Sequence, residues 1–309
     1  MSSSITRAMC ALLPDRGALS VAGADAAAFL DNLVTNDLEG MDEGEARFSA
    51  LLTPQGKILF EFFVVKTEAG FLLDVRRDKA VDLAKRLGIY KLRAQVEVKD
   101  ISADCAVAAI WWEPFGAKPT SFTYEADVLG SFADPRDSRL GLRLIVRAAP
   151  GSVPIRELSG VTMVDAAHYH AVRVEAGVGE GVYEYPLGNT FPHEANYDLF
   201  NGVSFEKGCF VGQEVVARMQ NKTVVRKRVV KIAGAGLPSG AEIKVGDAPI
   251  GSIGTVSGGQ ALGLVRLDRV VEALATSQPI SVDGRDIAID PAAVERYKQS
   301  VANKPVVDL

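Results

Sequence analysis

One octapeptide constrains this chain more than any other stretch: it runs from Lys207 to Glu214 and reads KGCFVGQE. Two glycines bracket a cysteine within it. We expect Gly208 and Gly212 to adopt backbone conformations that other residues avoid and to let another group approach closely. The residues from Gln213 onward have the composition of a helix start. The octapeptide therefore predicts a turn that holds Cys209 just ahead of a helix N-terminus.

Two interpretations of Cys209 follow from its neighbours. A free cysteine is often a small buried hydrophobe. A thiol ahead of a helix N-terminus, with Lys207 beside it, is instead expected to be more reactive than usual. Because polar residues flank Cys209 on both sides, we favour a working thiol. Cys105 begins an apolar run and is predicted to be a core residue.

The octapeptide resembles the K-G-C-[YF]-x-G-Q-E signature of the YgfZ family of folate-binding proteins. That family is a branch of the aminomethyltransferase (glycine cleavage T-protein, GcvT) superfamily. Further stretches of this chain resemble elements of the same superfamily. They are the V-x-G-x-D-A-x-x-F-L pattern at 21–30, V-T-N-D-L at 34–38, L-x-x-P-x-G-K at 51–57, D-x-R at 134–136, L-G-x-R at 140–143, P-H-E-A-N at 192–196 and V-V-A-R at 215–218.

Residue spacing predicts only the general fold class, whereas the family resemblance implies a specific architecture. Spacing alone supports mixed helices and strands, followed from about Val224 by an all-β region with a hairpin at Asp283-Gly284. The resemblance implies an α+β protein with a GcvT/YgfZ-like three-lobed ring. In that arrangement residues 1–222 form two intertwined folate-binding lobes and residues 223–309 form a C-terminal β-barrel.

Composition excludes several functions. The chain has 309 residues, 48% of them hydrophobic, which is enough for a large core. Its net charge of −5 and pI near 5.4 argue against a nucleic-acid or membrane-surface binder, because phosphate binding needs an extended basic face. We therefore expect no direct nucleic-acid partner and no membrane partner.

Cysteine and histidine usage argues against a metal site and a secreted setting. The three cysteines are an odd number without metal-ligand spacing, and no signal peptide opens the sequence. His168 and His170 are two residues apart in a predicted helix, so they cannot form the one-face pair of a zinc helix. We expect no metal site and a reducing, cytoplasmic location.

The resemblance also implies a pterin contact. Arg173 to Gly177 reads RVEAG and matches the R-x-E-A-G segment of aminomethyltransferases, in which the glutamate contacts the pterin ring. Glu175 suits that role, because one carboxylate can accept from the two adjacent donors that a pterin presents. The alternative is that Arg173 and Glu175 are ordinary surface charges.

Basic residues cluster after the octapeptide. We expect Arg226 and Arg228 to share one face of a strand, where they would suit the glutamate tail of a folate or an acidic partner. Tyr90 begins a Y-K-L-R-A stretch that the resemblance places at the edge of the folate cavity, although it could be only a solvated helix end. The complete predicted folate-binding set is Tyr90, Arg173, Glu175, Lys207, Gln213, Arg226 and Arg228.

One departure from the superfamily bears on activity. True aminomethyltransferases carry an acidic pair after the glycine turn, and aligning on Gly56 places Phe60-Glu61 there. The resemblance therefore implies a protein that binds tetrahydrofolate, or a one-carbon derivative, and supports assembly or repair of iron–sulfur clusters. Its partners would be iron–sulfur client or carrier proteins, including tRNA-modifying enzymes, and Cys209 would be its working thiol. A folate-dependent aminomethyl- or methyltransferase and a non-catalytic folate sensor remain alternatives, so enzymatic activity stays open.

Overall fold

The computed structural model describes residues 6–117, 123–149 and 157–303. The chain divides into two compact units, of which the first comprises residues 1–51, 60–172 and 200–211 and the second comprises 52–59, 173–199 and 212–309. Neither unit is one continuous stretch, because the chain passes between them repeatedly. The domain boundary predicted after residue 222 stays a prediction.

Six α-helices occur in the described residues. They are α1 (Ala26–Asp31), α2 (Ala80–Tyr90), α3 (Ala166–Ala176), α4 (Gln213–Lys222), α5 (Leu267–Ala275) and α6 (Pro291–Asn303). The predicted helix start at Gln213 is confirmed by α4. In α2, Leu83 and Leu87 are buried at a spacing of four residues, as expected for the apolar stripe of a surface helix.

The first unit is built mainly from two five-stranded sheets. Its strands are β1 (Arg7–Leu12), β2 (Arg16–Ala22), β3 (Ala46–Leu52), β4 (Ile58–Thr67), β5 (Gly70–Arg76), β6 (Glu97–Asp100), β7 (Cys105–Glu113), β8 (Thr123–Glu125), β9 (Val128–Ala133), β10 (Leu142–Arg147), β11 (Glu157–Ser159) and β12 (Val161–Val164). One sheet has the order β12-β1-β7-β10-β9, the other β3-β4-β5-β2-β6, and β8 pairs with β11. Only β1 and β12 run parallel among the described pairs.

Strand β7 lies at the centre of its sheet and is almost wholly buried, which explains its unbroken apolar run. The prediction that Cys105, its first residue, is a core residue is confirmed. The stretch from Glu113 to Pro135 is rich in proline, glycine and small residues, a composition that predicts a loop. That prediction is wrong where β8 and β9 form, and residues 118–122 lie outside the described part. Residues 128–133 form strand β9 because they pair antiparallel with β10 and because Phe132 is buried there.

The second unit contains the predicted C-terminal barrel. Its strands are β13 (Lys227–Ala233), β14 (Glu242–Val245), β15 (Ala248–Ser257), β16 (Gln260–Arg266), β17 (Ile280–Val282), β18 (Arg285–Asp286) and β19 (Ala288–Ile289). The sheet order is β18-β17-β14-β15-β16-β13-β19. Because Ile287 alone separates the two edge strands in sequence, the sheet curls back on itself and nearly closes. The hairpin predicted at Asp283-Gly284 is confirmed by the antiparallel pairing of β17 with β18.

Candidate functional site

Cys209 is the accessible cysteine of this chain. Cys10 and Cys105 are buried, whereas Cys209 is exposed. Burial raises the pKa of Cys10 to about 12 and that of Cys105 to about 11, which keeps both as inert thiols. The chemistry open to a thiolate is therefore concentrated at Cys209.

A hydrogen-bonded frame anchors the segment that leads to Cys209. The Oγ1 of Thr35 donates to the carbonyl of Gly202 over 2.7 Å, and the Ser204 amide donates to the Thr35 carbonyl over 3.0 Å. The side-chain amide of Asn36 donates to the Asn201 carbonyl over 2.5 Å. The V-T-N-D stretch therefore positions the cysteine segment, a role that sequence reasoning missed because it depends on pairing across about 170 residues of chain.

Internal partners hold the side chain of Lys207. Its Nζ donates to the carbonyls of Asp31, Val34 and Asn36 at 2.6, 3.2 and 2.7 Å, and to Asp31 Oδ1 at 2.9 Å. These acceptors end α1 and the turn after it, so the ammonium satisfies carbonyls that a helix end leaves unpaired. With its donors used internally, Lys207 is poorly suited to the predicted folate contact. It also lies 5.7 Å from the centre of the buried Phe210 ring.

The two glycines of the octapeptide differ. Gly212 has φ +82° and is the N-cap residue of α4, and a Cβ there would lie 2.7 Å from the Thr53 carbonyl and 3.0 Å from Gly56 Cα. Gly56 also has positive φ, so this close approach requires glycine on both sides. The same expectation for Gly208 is wrong: its φ is not positive, and a Cβ would meet nothing within 4 Å. The space beside Gly208 is open, and the neighbouring Cys209 is exposed.

In the second unit, Arg173 belongs to a buried ionic cluster. Its guanidinium donates to Glu184 Oε2 over 3.2 Å and to the Val178 carbonyl over 2.8 Å, and lies 3.7 Å from Glu180 Oε1. Arg173 is fully buried, which leaves it poorly suited to the predicted folate contact. Glu184 also accepts from the amide and hydroxyl of Thr255 on β15, so this cluster ties the end of α3 to the barrel.

The side chain of Glu175, unlike that of Arg173, is accessible to solvent. It is exposed, and within the described residues no donor contacts its carboxylate. Its carbonyl accepts from Lys231 Nζ over 3.3 Å, which places a cation at the C-terminal end of α3, where it complements the helix dipole. The carboxylate is therefore available to a ligand while its backbone is held.

Arg228 is occupied by internal partners. It forms a two-pronged ion pair with Asp198, with both distances 2.8 Å, and donates to Asn196 Oδ1 and the His193 carbonyl. It thereby fastens the P-H-E-A-N segment to β13. Arg226 is exposed and directly precedes β13, and its carbonyl accepts from the Leu267 amide over 2.7 Å. That it shares a strand face with Arg228 stays a prediction.

The remaining predicted site residues fall at helix ends. Tyr90 is the half-buried last residue of α2 in the first unit, and Gln213 is the half-buried first residue of α4 in the second. Their predicted folate contacts stay predictions. Among the described residues, no group of three or more His, Cys, Asp or Glu could hold a metal ion.

The D-x-R and L-G-x-R elements build a buried polar network in the first unit. Asp74 on β5 accepts from Arg16 on β2 over 2.7 Å and from Arg143 on β10 over 3.1 Å. All three side chains are at most 3% exposed. The network therefore joins the two five-stranded sheets. The sequence singled out Arg143 through the L-G-x-R element and missed its partner Asp74 and the neighbouring Arg16.

The D-x-R element also reaches the cysteine segment. Arg136 and Asp134 form a buried ion pair at 2.7 Å, and the Pro135 carbonyl between them accepts from the Asn201 side chain over 3.1 Å. The start of the Cys209 segment is thus tied to the buried network as well as to the V-T-N-D stretch. No α-helix within the described ranges is long and apolar enough to span a membrane.

Comparison with known proteins defines first the class of this chain. Residues 15–112 match the GCVT N-terminal domain, and residues 226–295 match the CAF17 C-terminal β-barrel domain. The crystal structure of glycine cleavage system aminomethyltransferase T from Bartonella henselae is similar, with a TM-score of 0.67 at 15% identity, over 92% of this chain and 85% of that one. The fold is thus that of the aminomethyltransferase superfamily, as predicted.

The sequence relatives then define the family. Iron-sulfur cluster assembly factor IBA57 of Mus musculus is 35% identical over 299 residues, which cover 89% of this chain and 79% of that protein. The chain belongs to the IBA57 family of iron–sulfur cluster assembly factors.

Other members of this family are longer than the shared region. The Mycosarcoma maydis homologue is 32% identical over 248 residues, or 75% of this chain, and the human protein is 32% identical over 72% of this chain. The chain spans 59% of the M. maydis protein and 65% of the human one. The predicted cytoplasmic location is contradicted by these relatives, which are named as mitochondrial proteins.

Proposed function

We propose that this protein supports assembly or repair of iron–sulfur clusters in client enzymes, tRNA-modifying enzymes among them, through the thiolate of Cys209. The observation that carries the proposal is an exposed cysteine, next to a glycine that borders open space, on a segment that hydrogen bonds fasten at several points to buried residues. The iron–sulfur names of its relatives support the same role.

Transient ligation of iron is the chemistry that suits Cys209 best. Loss of the thiol proton to water or a nearby base gives the thiolate, which forms the S–Fe bond as a thiolate ligand of the carrier leaves the iron and takes up a proton. A cluster usually takes four protein ligands, so a client or carrier protein supplies the others. The cluster is cargo in this scheme. Persulfide exchange and attack on a one-carbon unit are other routes open to the same thiolate.

We also propose that the second unit binds tetrahydrofolate or a one-carbon derivative through Glu175. The exposed carboxylate fits the paired donors of a pterin edge, and the cation of Lys231 holds its helix end. A bound tetrahydrofolate would supply a reduced pterin that can carry a one-carbon unit. Arg173, Lys207 and Arg228 are excluded from our proposed ligand set, because their donors are used internally.

Rescue in a deletion strain tests the cysteine proposal. We expect Cys209→Ser to fold normally and to restore none of the activity of iron–sulfur client enzymes, whereas the control Cys105→Ala restores it. Full rescue by Cys209→Ser would refute the role of the thiol.

Titration calorimetry with tetrahydrofolate tests the folate proposal separately. We expect heat of binding with the wild type and with the control Glu39→Ala, whose parent residue is another exposed glutamate, but not with Glu175→Ala. Equal heat from all three proteins would place the folate elsewhere, and no heat from the wild type would leave the thiol as the sole proposal.

A folate-dependent aminomethyltransferase is the second candidate, favoured by the fold match. Against it stands Phe60, which replaces an acidic residue and is buried in β4. Release of methylenetetrahydrofolate from an aminomethyl donor would support this candidate. A folate sensor would instead need Glu175 and tolerate loss of Cys209.

A further inference from the structure

The exposed side of α2 carries unusual apolar residues. Val81, Ile89 and Leu92 are 52%, 66% and 90% exposed. Val81 and Ile89 are eight residues apart and so lie on one stripe of the helix, opposite the buried Leu83 and Leu87. Leu92 follows in the turn after the helix with φ +42°. Ile89 and Leu92 are three residues apart, and exposed apolar side chains that form one patch mark contact surfaces, whereas isolated ones are ordinary.

Cations surround these apolar side chains. Between residues 80 and 95, the acidic Asp82 is outnumbered by four bases, and all five side chains are exposed. The bases are Lys85, Arg86, Lys91 and Arg93. We call residues 80–95 the basic tip. Its positive charge contrasts with the net charge of −5 of the whole chain.

A cleft of complementary character lies in the same compact unit. It has a volume of about 700 Å³ and is lined by Leu72, Val128 and Leu129 together with several exposed charges. Arg147 is the one base among its lining residues and is paired with Asp127 at 2.8 Å. The acidic residues of the cleft are Glu43, Glu68, Asp104 and Asp127.

We propose that the basic tip of one copy docks in the acidic cleft of a second copy of this chain. The tip has an excess of three positive charges and the cleft an excess of three negative ones, so their fields attract. Ile89 and Leu92 would pack against the apolar residues of the cleft, while the charged groups of the lysines and arginines stay at its acidic rim. The inference does not depend on the cysteine or the folate.

Symmetry gives two forms of this contact. Reciprocal exchange of tips and clefts about a twofold axis closes a dimer, whereas one-way docking continues into longer assemblies. Both forms weaken as salt is added, because the charges lie at the surface.

Sedimentation velocity on a dilution series of the full chain tests the proposal. We expect association that grows with concentration and falls with added salt. Leu92→Asp and the double variant Lys85→Glu/Arg86→Glu should weaken it by about tenfold or more. Leu274→Asp, which changes another exposed leucine on α5, should leave it unchanged. Circular dichroism confirms that each variant is folded.

A charge swap makes the test specific. Glu68→Lys/Asp104→Lys should also abolish self-association, and mixing it with the Lys85→Glu/Arg86→Glu protein should restore a complex of the two. A monomer at every concentration, or association that ignores these variants, would overturn the proposal. Flotation of a monomeric protein with phosphatidylserine-containing vesicles, lost in Leu92→Asp, would overturn it in favour of a membrane surface.

Discussion

At the scale of single residues, the octapeptide separates into anchoring positions and one presented group. Lys207, Phe210 and Gly212 are fixed by internal contacts, whereas Cys209 is exposed and Gly208 borders open space. Several residues of the octapeptide therefore hold the backbone that presents the Cys209 sulfur.

Replacing Lys207 should be costly. Lys207→Met leaves carbonyls at the end of α1 without their shared donor, and we expect a loss of about 3 kcal/mol in the free energy of unfolding. Urea denaturation measures this, with the exposed Lys298→Met as control. Equal stability of the two variants would show that the ammonium contributes nothing to the fold.

The two glycines should respond oppositely to alanine. Gly212→Ala meets a positive φ and a backbone contact, so it should lose more than about 2 kcal/mol of stability. Gly208→Ala enters open space and should change stability by less than about 0.5 kcal/mol. If Gly208→Ala nevertheless fails to rescue client enzymes, a partner approaches the backbone there. Similar denaturation midpoints for both variants would contradict this account of Gly212.

At the scale of elements, ion pairs that are partly or fully buried decide which segments are joined. Arg228 fastens the P-H-E-A-N segment to β13. Arg228→Met should therefore destabilise the protein by about 2 kcal/mol, while Arg226→Met should cost little because that residue is exposed outside the strand. Guanidinium denaturation compares them, and a larger loss from Arg226→Met would reverse the assignment.

Asp74 joins the two sheets of the first unit. In Asp74→Asn the buried Arg16 and Arg143 lose their shared negative charge, which should cost about 3 to 5 kcal/mol. Thermal unfolding followed by circular dichroism measures the loss. Asp82→Asn, on the exposed side of α2, is the control, and a comparable midpoint for both would show that the network is dispensable.

At the scale of the whole molecule, sequence reasoning predicted the superfamily fold, the terminal barrel and the start of α4. The superfamily fold and the barrel were implied by the resemblance, whereas local patterns were sufficient for the start of α4 and for the hairpin at Asp283-Gly284, because turn and helix-start signals act over a few residues. The same reasoning missed β8 and β9, whose identity as strands depends on pairing with distant partners.

For the site, the sequence singled out Cys209 and Glu175, both of which the structure leaves accessible. The sequence analysis treated Arg173, Lys207 and Arg228 as ligand contacts. Their hydrogen-bond partners within the protein could not be recognised, because those partners lie elsewhere in the sequence. Charge alone cannot tell an arginine that binds a ligand from one that neutralises a buried carboxylate, because that depends on tertiary packing.

The account depends on one accessible thiolate that takes part in cluster transfer. The most direct measurement is anaerobic mixing of the full chain with a glutathione-ligated [2Fe–2S] complex, followed by visible circular dichroism, which reports a protein-bound cluster. We predict a signal from the wild type and from Cys105→Ala and none from Cys209→Ser. An undiminished signal from Cys209→Ser would contradict the claim that this sulfur receives the iron.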